Sequence, residues 1–101
     1  MIDTPAPVID DASVVVRRTG MIDSEIDGEL VGLHLDSGNC YGFNVTATRI
    51  WSIIERPTPF SSLCTALSEE FEVDYATCHH ETGLLIAELV DKRLAEVTPA
   101  G

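Results

Sequence analysis

Apolar and polar positions alternate with period two over residues 29–36 and again over residues 40–45, then switch to a period near 3.6. In the first run Val31, Leu33 and Leu35 fall on one face, and Leu30, Gly32, His34 and Asp36 on the other. In the second run Tyr41, Phe43 and Val45 share a face. Ser37, Gly38 and Asn39 between them tolerate positive φ. Two alternating runs around a short turn predict a β-hairpin. The six apolar residues Val31, Leu33, Leu35, Tyr41, Phe43 and Val45 are expected to form the sheet side of the core. Upstream, residues 13–18 (SVVVRR) are β-branched and predict a first strand. Residues 19–28 are polar and acidic and predict a connection, and residues 1–12, with Pro5 and Pro7, predict a flexible arm.

Three helices follow on the same reasoning. Asn44 or Thr46 caps the first, since either side chain can accept from a free N–H of the opening turn. Ala47, Ile50, Trp51 and Ile54 then recur at helical spacing, and Pro57 ends the run. Thr58-Pro59 predicts a cap followed by proline at the first helical position. Phe60, Leu63, Cys64, Leu67 and Phe71 make the second apolar stripe. Asp74 caps a third helix reaching about Arg93, with Cys78, Thr82, Leu85, Ile86 and Leu89 as its main stripe. A second, narrower face carries Ala76, His79, Gly83, Ala87 and Val90, and its small residues predict a shallow groove. Mid-helix glycine costs roughly 0.5–1 kcal/mol against alanine. Either a second backbone approaches Gly83 closely or it packs tightly inside the domain.

The 101 residues make one domain, 45% hydrophobic. Its size is sufficient for a core without staples, and a short tail, residues 98–101, follows the last helix. The outline is α+β: a winged-helix-like unit of three antiparallel strands and three helices. Such units often bind nucleic acid, but a net charge of −11 with six Lys and Arg lacks the counterion-release driving force. No stretch approaches a membrane span, and the first residues lack the charged start and apolar run of a signal peptide. A cytoplasmic, reducing setting fits Cys40, Cys64 and Cys78, an odd set without C-x-x-C spacing. The dispersed acidity predicts a soluble monomer.

No motif carries catalysis. Asp23, Glu25, Asp27 and Gly28 mimic the start of a calcium loop, but its twelfth position is His34 rather than a bidentate Glu. Asn44-Val45-Thr46 matches a glycosylation acceptor that a helix cap explains as well. His79 and His80 point about 100° apart on a helix and lack an i, i+4 ligand partner. The chain has no nucleophile elbow, P-loop or dinucleotide fingerprint. Neither an enzyme activity, a cofactor nor a metal is expected.

Residues 35–55 (LDSGNCYGFNVTATRIWSIIE), spaced to LCTALSEEFEVD and LLIAELVDKRL, resemble the PqqD-like family. These are leader-recognition elements of ribosomally made, post-translationally modified peptides. The resemblance covers about residues 13–97. It rests on the strand–turn–strand, on Asn44, Thr46, Ala47, Ile50 and Trp51 at the helix start, on Phe71, Val73 and Asp74, and on the Leu-rich last helix. It implies that a precursor's leader adds as a further strand against Cys40, Tyr41, Gly42, Phe43, Asn44 and Val45. Leader side chains would then settle in a groove made by Ala76, His79, His80, Gly83, Leu84, Ala87 and Val90. The lasso-peptide branch is most similar, where the partner is a leader peptidase and a cyclase follows; other members serve radical modifying enzymes. Arg93 departs from the family, which often has glycine before the final leucine. An exposed strand edge supports peptide capture on physical grounds too, because its unpaired N–H and C=O groups suit an extended chain. Two alternatives stand beside this non-catalytic adaptor. One is a winged-helix nucleic-acid-binding protein, and the other a structural docking subunit of a larger enzyme.

Overall fold

The computed structural model describes residues 9–99. In chain order these form β1 (Val14–Arg17), β2 (Met21–Ile26), β3 (Glu29–His34), β4 (Cys40–Phe43), α1 (Val45–Ile53), β5 (Thr58–Pro59), α2 (Phe60–Glu70), α3 (Tyr75–Asp91) and β6 (Ala95–Thr98). The α+β class, the three-stranded antiparallel sheet and the three helices are as the sequence implies. The membership of the sheet differs. β2, β3 and β4 form the wing, while β1 leaves it and lies between β5 and β6 in a second antiparallel sheet.

The hairpin forms with its faces exchanged. Leu30 pairs with Phe43 and Gly32 with Tyr41, and the His34 N–H donates to the Asn39 carbonyl at 2.8 Å. Residues 35–38 are therefore the loop, rather than 37–39. That register places even-numbered residues of β3 opposite odd-numbered residues of β4. A one-residue shift of this kind turns every side chain to the other face. Leu30, Phe43 and His34 are consequently buried, whereas Val31 is 52% exposed and Leu33, Leu35 and Val45 also face solvent. Of the six expected core residues only Phe43, with half-buried Tyr41, packs against the core. The supposed connection over residues 19–28 contains β2. Asp27 and Gly28, both at positive φ, turn it back onto β3.

The hydroxyl of Thr48 locks the wing to α1. It accepts from the buried Leu30 N–H at 3.0 Å and donates to the Phe43 carbonyl at 3.2 Å. Asn44 is the N-cap of α1, its side chain accepting from Ala47 N–H at 2.8 Å. Trp51 closes the other end, donating to Asp23 at 3.3 Å, with the Arg17 guanidinium 5.1 Å from its ring centre.

α2 needs no side-chain cap, contrary to the expectation for Thr58. The carbonyls of Ser13 and Asp11 accept from Phe60 and Ser61 N–H, at 2.8 and 3.0 Å. Thr58 instead pairs with Val15 and turns its hydroxyl back to the carbonyls of Ile53 and Arg56. Asp74 caps α3 as expected, accepting from Thr77 N–H at 3.0 Å. α3 ends at Asp91; Arg93 takes positive φ, and Leu94 N–H returns to the Leu89 carbonyl. The turn leads into β6, a strand not anticipated from the sequence, which pairs with all of β1. Val15, Ile50, Ile54, Phe60, Leu63, Leu67, Ile86 and Leu94 form the centre of the core. The expected arm at 1–12 lies outside the described residues as far as residue 8. Ile9 packs on the core and Asp10 hydrogen-bonds Ser13. Of the tail expected at 98–101, Thr98 completes β6 and pairs with Val14, and residues 100 and 101 lie outside the description.

Candidate functional site

β4 pairs with β3 on one side, and among the described residues no strand pairs with its other side. In an antiparallel ladder, inward- and outward-directed amides alternate. The His34–Asn39 bond and the Thr48 relay between Leu30 and Phe43 mark Asn39, Tyr41 and Phe43 as the positions facing β3. The N–H and C=O of Cys40 and Gly42 therefore face outward, and both residues are exposed. A Cβ placed on Gly42 would meet nothing within 4 Å. This is an open main-chain edge with room for another strand.

The flank of α3 beside that edge carries Leu85, Glu88, Leu89 and Lys92. With Tyr41, Gly42, Phe43, Ala47 and Leu94 they line a crevice of about 100 Å³. Leu85 is shared with a depression of about 360 Å³ toward α1, walled by Thr46, Ile50, Leu67, Phe71, Val73, Cys78, Glu81 and Thr82. Tyr41 and Lys92 are shared with an open cavity of about 520 Å³ at the hairpin turn. Through these shared lining residues the three concavities follow one another in a single succession along α3. From Cys78 to Arg93 it runs about 22 Å at 1.5 Å per residue, the length of about seven residues of extended chain.

The expected site residues divide. Cys40, Tyr41, Gly42 and Phe43 form the edge; Asn44 is occupied as a cap, and Val45, already in α1, is exposed. His79, His80, Gly83, Leu84 and Ala87 do not flank β4. They line a separate depression with Phe60 and Ile9. Ala76 is exposed one turn earlier, and Val90 packs against the core. The reason is geometric: a buried stripe has two shoulders, and the small-residue shoulder faces Phe60, whose ring stacks edge-on against His79. His79 also pairs with Asp11 at 2.8 Å. Among the described residues no other backbone lies within 4 Å of a Cβ placed on Gly83; the nearest atom is in the Phe60 ring at 3.6 Å. Leu85 and Leu89 belong to the stripe that reads as core from the sequence, and Glu88 and Lys92 read as solvated surface beside it, so none of the four stands out as a wall residue.

The thiols are chemically quiet where they are buried. Burial, with Cys78 nearby, pushes the Cys64 thiol up to about 12, and Cys78 donates to the Cys64 carbonyl. Cys40 is exposed. Among the described residues no three His, Cys, Asp or Glu side chains are grouped to hold a metal ion. No described helix is long and apolar enough to cross a membrane. A second apolar surface lies on the outer face of the wing, where Ile22 sits opposite Leu33 and Ser24 opposite Val31, with Ile26 and Leu35 also exposed.

An open wing strand set against a helix-lined crevice defines a winged-helix-type α+β unit. Residues 29–95 match the family described as coenzyme PQQ synthesis protein D (PqqD), and the chain belongs to that family. Among solved structures, TbiB1 in complex with the TbiA(beta) leader peptide matches with a TM-score of 0.74 at 28% sequence identity. The match covers 80% of this chain and 94% of TbiB1. No curated protein matches.

Proposed function

We propose that this chain is a peptide-binding adaptor. It captures the leader of a ribosomally made precursor by strand addition to β4 and holds the precursor for a modifying enzyme or leader peptidase. The observation that carries the reading is the pair of outward backbone positions, Cys40 and Gly42, directly beside the apolar crevice of Leu85, Leu89 and Leu94. Main-chain bonds to the edge supply affinity without reading sequence, and alternate side chains of the added strand drop into the crevice, which supplies specificity. The similarity to TbiB1 in complex with a leader peptide supports the same ligand class. On this reading Cys40, Tyr41, Gly42 and Phe43 are leader-binding residues, and the α3 contribution comes from Thr82, Leu85, Leu89 and Lys92. The adaptor acts by holding rather than by catalysis, and the lasso-peptide type, with a leader peptidase and cyclase as partners, is the favoured pathway. The exposed face of Ile22, Val31 and Leu33 is the surface left for such a partner once the leader covers β4.

An NMR titration with synthetic leaders of precursors encoded near this chain, with the TbiA(beta) leader included, tests the proposal. Shifts should concentrate at Cys40–Phe43 and along Thr82, Leu85, Leu89 and Lys92. A flat response to every leader from a folded sample rejects strand addition. It would favour the docking subunit, for which the same exposed wing face is the supporting observation.

A further inference from the structure

The cavity of about 520 Å³ at the hairpin turn gathers half of the chain's Lys and Arg. Six Lys and Arg stand against seventeen Asp and Glu, yet Arg18, Lys92 and Arg93 all line this one space, against two carboxylates, Asp36 and Asp91. The backbone assembles the cluster: Arg18 N–H donates to the Leu94 carbonyl at 2.8 Å, fixing the end of β1 beside the turn that follows α3. Lys92 is paired with Glu88 at 2.8 Å, whereas Arg18 and Arg93 make no ion pair among the described residues.

Arg93 adds a second, independent observation. It sits at φ 61°, the left-handed position that closes the helix through the Leu94–Leu89 bond. Glycine holds that conformation without strain, and a long side chain does not. Arg93 lines the cavity, is exposed and makes no ion pair among the described residues, so its charge is available to a ligand there. The opposite wall is built for the same chemistry. Ser37, held by His34 at 2.9 Å, and Asn39, which donates to the Tyr41 hydroxyl at 3.3 Å, bring further polar groups to the rim. Tyr41 and Lys92 belong both to this cavity and to the crevice along β4, so a strand lying on β4 runs directly into it.

We propose that the cavity is a carboxylate subsite: it takes an acidic side chain of the bound peptide, at the end of the segment that passes Asn39. The inference rests on the strand-addition reading and assigns that site a charge preference. A peptide is held by apolar contacts along α3 and is positioned lengthwise by one Asp or Glu against Arg18 and Arg93.

The test uses the full chain and the leader that binds in the titration above. Arg93→Gly should raise the thermal midpoint, because strain is relieved, and at the same time weaken binding about fivefold; the Arg18→Gln/Arg93→Gly double variant should weaken it further. The salt dependence of affinity should flatten in both. Changing one Asp or Glu of the peptide to its amide should cost the wild-type chain the factor that the double variant loses, and should cost the double variant nothing further. Unaltered affinity and salt dependence in the double variant overturn the subsite. If a β4-edge variant abolishes binding in the same series, strand addition survives that failure. If no leader binds the folded chain, the subsite falls together with the reading it rests on.

Discussion

Replacing Gly42 with proline removes one backbone donor from the β4 edge and leaves the wing's own ladder intact. The Gly42 N–H points away from β3, the residue sits on an edge strand, and nothing lies within 4 Å of a Cβ built there. Proline is tolerated at such edges. A bound strand loses one main-chain hydrogen bond, worth about 0.5–1.5 kcal/mol net, and its carbonyl is left unpaired in the crevice at a further cost of about 1–3 kcal/mol. The sum, about 1.5–4.5 kcal/mol, corresponds to a rise in Kd of about 10- to 2000-fold. Calorimetric titration with a binding leader measures it, and circular dichroism melts confirm that the variant folds. Gly42→Ala is the control: it keeps the N–H, points its methyl into open space on the outer face, and should bind within about twofold of wild type. A folded Gly42→Pro that binds as tightly as wild type refutes strand addition at this edge, whatever the crevice contributes.

Four further expectations concern other parts of the chain. Leu85→Ala should weaken leader binding about tenfold by emptying the wall shared by crevice and depression, while Leu84→Ala, 60% exposed on the far shoulder, should leave it unchanged; equal effects would refute the assignment of flanks. Thr48→Val should lose about 1–3 kcal/mol in urea unfolding because it strips the buried Leu30 N–H and Phe43 carbonyl of their shared hydroxyl, and Thr48→Ser should recover most of it. Gly83→Ala should gain about 0.5–1 kcal/mol with leader affinity intact, since only the Phe60 ring lies near the added methyl; a weaker binder would return Gly83 to the site. Because the Cys64 thiol is raised from 9.0 to about 12, the unfolded chain releases that proton first, so Cys64 stabilises fully below pH 9 and its contribution falls as pH rises from there toward 12. Melts of wild type should therefore decline more steeply than those of Cys64→Ala over that window, and parallel slopes would contradict it.

Much of the fold was legible in the sequence wherever a local rule decides the outcome. Asn44 and Asp74 cap helices through their own side chains, and the stripes of α1 and α2 are amphipathic at helical spacing and are largely buried. The misreadings come from non-local pairing. On residues 29–36 the odd-numbered face carries Val31, Leu33 and Leu35 and the even-numbered face only Leu30 as a large apolar side chain, so alternation by itself gives the wrong phase of β3. The phase is settled by the four-residue loop and by Thr48, a residue on α1. β2 is exposed along five of its six residues and is held by β3 rather than by burial. β6 exists because β1 is free to receive it. Cap chemistry likewise misled at Thr58, where the carbonyls of Asp11 and Ser13 satisfy the first N–H groups of α2 from a distant part of the chain.

The candidate site follows the same division. The open edge of β4 survived the error of phase because it belongs to the main chain: whichever face the side chains take, the last strand of the wing keeps its outer N–H and C=O groups. The expected small-residue groove of α3 lies away from β4, because its place depends on handedness. Period 3.6 locates the axis of the buried stripe of α3, but the two shoulders, His79–Gly83–Ala87 and Glu81–Leu85–Glu88–Lys92, are equivalent until the direction from which β4 approaches is known. Small residues mark the first shoulder, yet that shoulder faces Phe60 rather than β4, and at Gly83 an added Cβ would stand at ordinary contact distance, 3.6 Å, from the Phe60 ring. The second shoulder carried a signal of another kind. Lys92 is one of six cations in the chain and lies next to Arg93. A basic pair at the end of a helix in so acidic a protein is the sequence feature on which the proposed carboxylate subsite rests.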